Sequence, residues 1–353
     1  MFLVSSQDLR AHIHEIFCAA DTPPSVAERV ADSLVESNLT GHDSHGVIRV
    51  PAYVEAIRKG TLQPSGQIQV LRESATTALL DCGWTFGQVA ACRGMEMAIA
   101  KAREHDIGMV VLRHCNHTGR IGEFAVTAAE QGFIGLVFCN GSVPGGLVAP
   151  FGGIRRAMGA NPLAWAIPRE GEKPIFLDYA TSIVSQGKIL VAADKGEKVP
   201  EGWILDKEGR PTTNPREMLE GGALLPFGGY KGYGLAVIIE LLGAGLSGAG
   251  IPLLPGYKWD QGTVLMAIRI ETFRPLEEFH RMVEEFVVQL KAAPRAPDCP
   301  EILLPGEPEW RSKAQRERDG IPLPEATWDR VKETAKSLGL KWTREGATAQ
   351  GIY

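Results

Sequence analysis

The sequence predicts an α/β protein in which one sheet-containing domain is joined to a lobe of helices contributed by both ends of the chain. Three observations lead to this fold class. At 353 residues the chain exceeds what a single hydrophobic core ordinarily organises, since domains usually run to about 100–200 residues. Helical periodicity dominates the two ends, and short apolar runs alternate with helical patterns in the middle. We therefore expect two lobes with a cleft between them.

The first segment, residues 1–74, is predicted to be helical. Apolar residues recur at a spacing near 3.6 in "SQDLRAHIHEIFCAA", and a proline stands at a favourable first position of "PPSVAERVADSLVESNL". A third helix is predicted over "PAYVEAIRKG", which runs from a proline to a terminal glycine.

The second segment, residues 75–272, is predicted to form the α/β domain. Its strands are the short apolar runs "TALLDC", "GMVVLR", "IGLVFC", "LAWAIP", "PIFLDYA" and "GTVLMAIRI". Helical patterns separate several of them, among them "GQVAACRGMEMAIAKAREH" and "GEFAVTAAEQG". The stretch "KGYGLAVIIELLGAGLSG" is predicted as a long buried helix.

The third segment, residues 273–353, is again predicted to be helical. The patterns lie in "RPLEEFHRMVEEFVVQLKAA" and "EATWDRVKETAKSLG". Residues 294–322 are rich in proline and charge and are predicted as a surface connection. We expect this segment to pack on the N-terminal helices, which makes the helical lobe discontinuous in sequence.

Composition excludes several classes of partner. A net charge of −5 with 44% hydrophobic and 22% charged residues is ordinary for a globular protein and offers no positive surface for nucleic acid or an anionic membrane. No apolar run approaches the roughly 20 residues that span a bilayer, and the N-terminus lacks a secretory pattern, so we expect a cytoplasmic protein. Six cysteines without CxxC spacing predict buried free thiols rather than disulfides or a zinc site.

A dinucleotide-binding fingerprint is present only formally. Residues 243–248, "GAGLSG", match G-x-G-x-x-G, but "AGIPLLPGY" follows, whose prolines forbid the helix that this fingerprint should open. We interpret these glycines as ending or closely packing a helix. If a nicotinamide cofactor binds, it does so without a standard Rossmann site.

The stretch "GHDSHGVIRVP", residues 41–51, admits three interpretations: a polar turn, a metal site or an acid–base centre. His42 and His45 are three apart, as are His114 and His117, but no carboxylate clearly supplies a third ligand and HExxH is absent, so we expect no metal. If the stretch is helical, His45 and Arg49 share one face. Oxidation of a 2-hydroxy acid, or reduction of a 2-oxo acid, needs such a pair, one to exchange a proton and one to hold a carboxylate.

Two further polar groups follow predicted strands. Asn116 and His117 come after "IGMVVL", at a strand end where ligands commonly bind in α/β folds, although a polar turn explains them equally well. Asp178 ends an apolar run and needs a partner if it is buried. It either caps a following helix or orients a catalytic histidine.

Together these motifs resemble one family. The stretches that carry the resemblance are "SNLTGHDSHGVIRVPAYV", "CNHTGRIGEFAVTAAEQGFIGLVFCN", "PFGGIRRAMGANPLAWAIP", "LDYATS", "EGWILDKEGRPTTNP", "GGALLPFGGYKGYGLAVIIELL" and "GIPLPEATWDRV". They are similar, in order and over nearly the whole chain, to the type 2 malate/L-lactate dehydrogenases. That family also contains ureidoglycolate and sulfolactate dehydrogenases, diketogulonate reductase and the piperideine- and pyrroline-2-carboxylate reductases.

The resemblance implies an NAD(P)-dependent oxidoreductase with a non-Rossmann cofactor domain built on a mixed sheet, acting on a small carboxylate substrate, and usually a homodimer. His45 matches the family's proton donor, and in the imine reductases Ser44 and Asp178 match a relay. In ureidoglycolate dehydrogenases the histidine that matches His117 is the proton acceptor instead. We favour His45 as acid/base and retain His117 as a substrate-polarising or alternative base.

The remaining site assignments also come from the resemblance. Arg49, Asn116 and Thr118 are expected to bind substrate. The cofactor, NAD or NADP, is expected to contact residues in five segments: Asn140, Gly141, Asn161, Asp178, Tyr179, Ala180, Thr181, Lys231, Gly232, Asp260 and Gln261.

The sequence departs from the family pattern in places. The stretch before "GTVLMAI" is shorter than in many relatives, Arg120 stands where relatives often have a small residue, and Tyr179 stands where Met or Leu is common. Arg120 therefore bears on substrate charge and Tyr179 on the width of the nicotinamide pocket. A 2′-phosphate of NADP would need a cation, for which Arg155, Arg156 and Lys188 are the candidates.

Three other functions compete with this expectation. A cyclic ketimine reductase would use the same site on an imine. A metal-dependent hydrolase would use the HxxH pairs and hold zinc. A catalytically silent metabolite-binding protein would keep the fold and bind the cofactor without turnover.

Overall fold

The computed structural model describes residues 2–141, 143–341 and 347–348. The N-terminal segment contains β1 (Phe2–Val4), α1 (Ser6–Ala19), α2 (Pro24–Leu39) and α3 (Val50–Arg58). Ser5 caps α1, because its hydroxyl accepts the Asp8 N–H at 3.0 Å, and prolines open α2 and α3. The three predicted N-terminal helices are confirmed.

The middle of the chain alternates strands with helices, as predicted. In order these are β2 (Gln69–Glu73), β3 (Thr77–Asp81), α4 (Gly87–His105), β4 (Ile107–Arg113), α5 (Gly122–Ala129), β5 (Phe133–Cys139), β6 (Leu163–Ile167) and β7 (Ile175–Tyr179). Then come α6 (Gln186–Lys195), β8 (Ile204–Leu205), β9 (Pro211–Thr212), α7 (Pro215–Leu219), β10 (Ala223–Leu224), α8 (Tyr230–Glu240) and β11 (Thr263–Arg269).

Seven strands form one mixed sheet in the order β2-β3-β4-β11-β5-β6-β7. Only β3 and β4 run parallel, and the late strand β11 is inserted antiparallel between β4 and β5. Helices α4 and α5 pack closely on the sheet, because a side chain at Gly108 or Gly135 would overlap the backbone of Ala98 or Ala125. Strands β8, β9 and β10 form a separate small sheet.

Both ends of the chain share one hydrophobic core. The C-terminal segment contains α9 (Leu276–Lys291), α10 (Glu307–Asp319), β12 (Ile321–Leu323), α11 (Glu325–Ser337) and β13 (Ala347–Thr348). Strand β1 pairs with β12 and β13, and Trp328 of α11 is buried with Phe17 of α1. By contrast, α9 packs at the edge of the large sheet, where Val283 and Val287 cluster with Ile167 and Ile175.

The prediction of a mere surface connection over residues 294–322 is wrong, because α10 occupies residues 307–319. No residue of this helix is buried, so the sequence carries no apolar period to reveal it. Ion pairs attach it to α2 and the turn that follows, through Lys313 to Glu36 and Arg316 to Asp43. Trp310 adds an edge-on contact with the ring of Phe176 at 5.2 Å.

The predicted long buried helix is only half buried in the single chain. Helix α8 continues into a π-helical turn, Leu241–Gly245, and its buried face packs Ala236 against Met158. Its other face leaves Ile238, Leu241 and Leu246 more than half exposed, at 53%, 53% and 54%, because no element of the described residues covers it.

Of the glycines in the formal fingerprint, Gly243 packs closely and Gly248 follows the last helical residue with a positive φ, whereas a side chain at Gly245 would meet nothing within 4 Å. A side chain at Gly243 would approach the Gly262 carbonyl oxygen to 2.8 Å and the Asn140 nitrogen to 2.9 Å. All six cysteines are free thiols, and three of them, Cys82, Cys115 and Cys139, are buried. Among the described residues, no helix combines the length and the apolar character that crossing a membrane requires.

Candidate active site

The histidine-containing segment after α2 is a pair of tight turns rather than an α-helix. Asp43–His45 and Val47–Arg49 each form a 3₁₀ turn, and the extended backbone of Gly46 separates them. Asn38 holds both turns, because its Oδ1 accepts the Val47 N–H at 2.9 Å and its Nδ2 donates to Asp43 at 2.7 Å. A side chain at position 46 would overlap Asn38. The condition under which His45 and Arg49 would share one face of an α-helix is therefore not met.

Helix α10 fixes the same segment from outside. Arg316 donates to Asp43 Oδ1 at 2.7 Å, and Ser312 donates to the Leu39 carbonyl oxygen at 2.9 Å. His42 pairs with Glu309 at 3.5 Å. The helix that the sequence did not reveal thus positions the turn that carries His45.

His45 is held through its Nδ1 atom. The Ser44 hydroxyl lies 3.0 Å from Nδ1, and Arg49 Nε donates to the Ser44 carbonyl oxygen at 2.6 Å. Burial, together with the neighbouring Arg49, His42 and Arg120, lowers the pKa of His45 to about 3. The imidazole is therefore neutral at physiological pH.

His117, in the loop between β4 and α5, is held by two residues that the sequence analysis did not select. Tyr53 Oη of α3 lies 2.6 Å from His117 Nδ1, and Gln88 Nε2 of α4 donates to Tyr53 Oη at 2.9 Å. Since Tyr53 Oη accepts from Gln88, its own hydrogen is available to Nδ1. We infer that neutral His117 carries its proton on Nε2.

The two imidazoles face each other. Their centroids are 5.6 Å apart and their planes differ by 18°. Burial lowers the pKa of His117 well below its ordinary value, and the charge of Arg49 acts in the same direction. Burial raises the pKa of Tyr53 to about 12, so its hydroxyl stays protonated. The arrangement offers two neutral rings, each with Nδ1 engaged by a hydroxyl.

Asp178 lies at the start of α5. Its Oδ2 accepts the Gly122 N–H at 2.7 Å, so it caps a helix that precedes it in sequence rather than one that follows. Burial raises the pKa of Asp178, while His42 and Arg120 oppose that shift. No hydrogen bond joins Asp178 to His45 in the described part of the chain.

Four predicted site residues hold the loop that carries His117. Asn116 Nδ2 donates to the Trp84 carbonyl oxygen at 2.6 Å. The carboxylate of Asp260 accepts the His114 and Cys115 N–H groups at 3.0 and 2.8 Å, and Gln261 Oε1 accepts the Thr118 N–H at 2.8 Å. These polar atoms fix the loop beside His117.

Asn140 and Asn161 meet at a buried carboxylate, Glu240 of α8. Glu240 Oε1 accepts from Asn140 Nδ2 at 2.8 Å, and its Oε2 accepts from Asn161 Nδ2 at 2.7 Å. Asn161 adopts a positive φ of 37°, and its Oδ1 is buried without a hydrogen-bond partner. Glu240 was missed, because a single acid in an apolar helical pattern gives no sign of its partners.

The remaining predicted cofactor residues fall into three stretches of the chain: residue 141, residues 179–181 and residues 231–232. Thr181 is buried, and its N–H and hydroxyl both donate to the Ala160 carbonyl oxygen. Tyr179 is 41% exposed and stands edge-on to Phe227, with ring centroids 5.5 Å apart. The others differ in accessibility: Ala180 and Gly141 are half-buried, Lys231 is exposed in the first turn of α8, and Gly232 is buried.

The histidines of the two HxxH pairs have separate partners. His42 contacts Glu309, and His114 contacts Asp81 at 2.8 Å and stacks on Trp84. Within the residues that the structure describes, no three side chains of ligand type come together in a way that would hold a metal ion.

Comparison with known proteins decides the family. The malate/L-lactate dehydrogenase family model matches residues 4–332. The chain belongs to the malate/L-lactate dehydrogenase family. It is 38% identical over 349 residues to a malate dehydrogenase of Pyrococcus abyssi, covering 96% of this chain and 95% of that protein.

Solved structures agree with this membership of the malate/L-lactate dehydrogenase family. Sulfolactate dehydrogenase from Methanocaldococcus jannaschii superposes with a TM-score of 0.88 at 37% identity, covering 96% of this chain and 98% of that one. The Δ¹-piperideine-2-carboxylate reductase from Pseudomonas syringae pvar. tomato gives 0.84 at 31% identity, covering 95% and 100%. The predicted resemblance is confirmed, and the chain is an oxidoreductase of the malate/lactate dehydrogenase type acting on CH–OH groups.

Proposed function

We propose that this protein transfers a hydride between a nicotinamide cofactor and C2 of a small 2-hydroxy or 2-oxo acid. One observation carries the proposal: two neutral imidazoles, those of His45 and His117, stack 5.6 Å apart beside the Arg49 cation. The relatives named malate and sulfolactate dehydrogenase support the same substrate class.

Arg49 is proposed to hold the substrate carboxylate. Its Nε is engaged by the Ser44 carbonyl oxygen, which leaves the two terminal nitrogens for a carboxylate. Its charge lowers the pKa of both histidines, so it lies within electrostatic reach of both rings. A bound carboxylate offsets that charge and raises the pKa of His45, which brings the imidazole closer to a useful acid–base range.

His45 is proposed to exchange the hydroxyl proton, with Ser44 on its Nδ1 fixing the ring. His117 is proposed to donate its Nε2–H to the substrate oxygen, because Tyr53 engages its Nδ1. Such a bond stabilises negative charge that develops on the oxygen when a 2-oxo acid is reduced. Asp178 is proposed to act on this site electrostatically, through the charges of His42 and Arg120.

The residues present fit a nicotinamide cofactor. The buried, unpartnered Oδ1 of Asn161 is an acceptor suited to an amide N–H, and Lys231 at the N-terminus of α8 suits a phosphate. We propose that the cofactor is held by these two and by Asn140, Gly141, Asp178, Tyr179, Ala180, Thr181, Gly232, Asp260 and Gln261. When bound, the nicotinamide ring gives or accepts the hydride at C4.

The cofactor domain is proposed to be non-Rossmann. Two observations support this: β11 lies antiparallel within the sheet, and the formal glycine fingerprint sits at the end of α8. For NADP, Arg156 is already engaged by the carbonyl oxygens of Met218 and Gly222, so Arg155 and Lys188 remain the candidates for a 2′-phosphate. NAD and NADP are therefore both part of the proposal.

A homodimer is part of the same proposal, supported by the uncovered apolar face of Ile238, Leu241 and Leu246. The proposed lobes are residues 1–74 with 273–353, and residues 75–272. The core shared by α1 and α11 supports the first, although α9 contacts the sheet edge. A cytoplasmic location is supported by six free thiols.

The function is tested by following NAD(P)H absorbance with 2-oxo acids, 2-hydroxy acids and cyclic imino acids, each with both cofactors. We expect turnover of a 2-hydroxy or 2-oxo acid. A preference for cyclic imino acids would favour the second candidate, a ketimine reductase. The Ser44–His45 pair and the similarity to the piperideine-carboxylate reductase support that candidate. Absence of turnover across the panel would refute the proposal.

A further inference from the structure

Arg120 is a buried cation, and two of its nitrogens have no hydrogen-bond partner among the described residues. The residue is 4% exposed, and its Nε and Nη1 atoms are buried without a hydrogen-bond partner. Its Cζ lies 5.9 Å from the centroid of the Phe176 ring. Burying a guanidinium without hydrogen bonds is costly, so such a group calls for a partner.

The neighbouring carboxylates do not supply that partner. Asp178, Glu36 and Glu309 act on Arg120 electrostatically, but none of them forms an ion pair with it among the described residues. Each is engaged elsewhere: Asp178 by the Gly122 N–H, Glu36 by Lys313 and Glu309 by His42. Within the described part of the chain, Nε and Nη1 of Arg120 therefore remain for an anion other than these carboxylates.

Arg120 belongs to the same loop as His117, and its charge acts on the proposed reaction site. It follows His117 by three residues in the same loop, and its charge acts on His45 and Asp178. The charge of Arg49 acts instead on His45, His117 and Tyr53. The charges of Arg49 and Arg120 thus both act on His45, but the other groups on which they act differ. This arrangement suits a ligand with two acidic groups.

We propose that Arg120 binds a second acidic group of the substrate, a carboxylate or sulfonate, while Arg49 holds the carboxylate next to C2. This rests on the function proposed above and narrows the substrate to 2-hydroxy diacids. A monoacid leaves Arg120 buried and unpaired, so the site discriminates against it.

The test compares L-malate with (S)-2-hydroxybutyrate, in which a methyl group replaces the distal carboxylate. We expect the wild type to favour L-malate in kcat/KM by about 10²-fold or more. Arg120→Met should remove most of that preference by lowering kcat/KM for L-malate, and should change kcat/KM for 2-hydroxybutyrate by less than about threefold. Arg120→Lys should lie between the two. Arg93→Met, which removes an exposed cation from α4, is the matched control and should keep the wild-type preference.

Two outcomes separate this inference from the proposed function. A wild type that turns over both acids without preference, or an Arg120→Met variant that loses activity equally on both, overturns the inference alone. A wild type inactive on every acid overturns both. If Arg120→Met does not fold, inhibition of the wild type by succinate and butyrate decides, because equal inhibition by these two acids of the same length contradicts a second anion site.

Discussion

Replacement of Tyr53 by phenylalanine isolates the hydroxyl that orients His117. The ring of Tyr53 packs edge-on against Phe86 at 5.9 Å, and phenylalanine keeps that contact. The substitution removes two hydrogen bonds, the 2.6 Å bond to His117 Nδ1 and the 2.9 Å bond from Gln88 Nε2. It thereby frees His117 to place its proton on Nδ1, where it cannot assist the substrate.

The magnitude follows from the burial of these groups. A buried polar atom that loses its partner costs about 1–3 kcal/mol, which corresponds to roughly 5- to 150-fold in rate if the whole cost falls on the transition state. We therefore expect kcat to fall roughly 10- to 100-fold for Tyr53→Phe. KM for the acid should change less than about threefold, because Arg49 is untouched.

Initial rates with saturating cofactor measure this effect, and nitrogen NMR of the histidine rings reports the tautomer directly. Gln88→Leu is the matched control, since it leaves the Tyr53 hydroxyl able to donate to His117 and should cost less than Tyr53→Phe. The double variant should be no worse than Tyr53→Phe alone. Rates within about twofold of wild type, with the His117 tautomer unchanged, would refute the reasoning.

Two further predictions concern Arg49 and His45. Arg49→Lys should raise KM for the acid by about 10- to 100-fold, with a smaller effect on kcat. The reason is that a lysine cannot donate to the Ser44 carbonyl oxygen and also bind a carboxylate in a bidentate manner. An unchanged KM would show that Arg49 does not bind the carboxylate. Burial and the neighbouring Arg49 lower the pKa of His45 from 6.5 to about 3, so the folded state binds fewer protons than the unfolded state. Its contribution to stability is present above about pH 6.5 and is lost as the pH falls toward 3. The free energy of unfolding, measured with urea, should therefore decrease over that range more for the wild type than for His45→Gln. Equal pH slopes for the two proteins would contradict the shifted pKa.

The regular elements were predictable because their hydrophobic residues recur with a clear period. The apolar positions of α1, α2 and α4 have helical spacing, and β4, β5 and β11 are short apolar runs. Helix α10 escaped prediction because ion pairs such as Arg316–Asp43 attach it in place of buried apolar side chains. The position of β11 between β4 and β5 depends on long-range pairing, which no local pattern reports.

The candidate active site was likewise predictable only in part. The residue types of His45, Arg49 and His117 pointed to proton exchange and carboxylate binding, and the structure brings the two rings together. The sequence misled on local geometry, because Gly46 interrupts the helix on which the spacing argument for His45 and Arg49 depended. Tyr53 is 64 residues from His117 in sequence, so only tertiary packing reveals that pair.

The central claim is that the two facing imidazoles carry the proton chemistry. Its most direct test is single-turnover reduction of the preferred 2-oxo acid by His45→Asn and His117→Asn, with folding checked by circular dichroism. We predict that each variant slows hydride transfer by about 10²- to 10⁴-fold, the usual contribution of a general acid, while the acid still binds through Arg49. If both folded variants transfer hydride at near wild-type rates, the account is wrong.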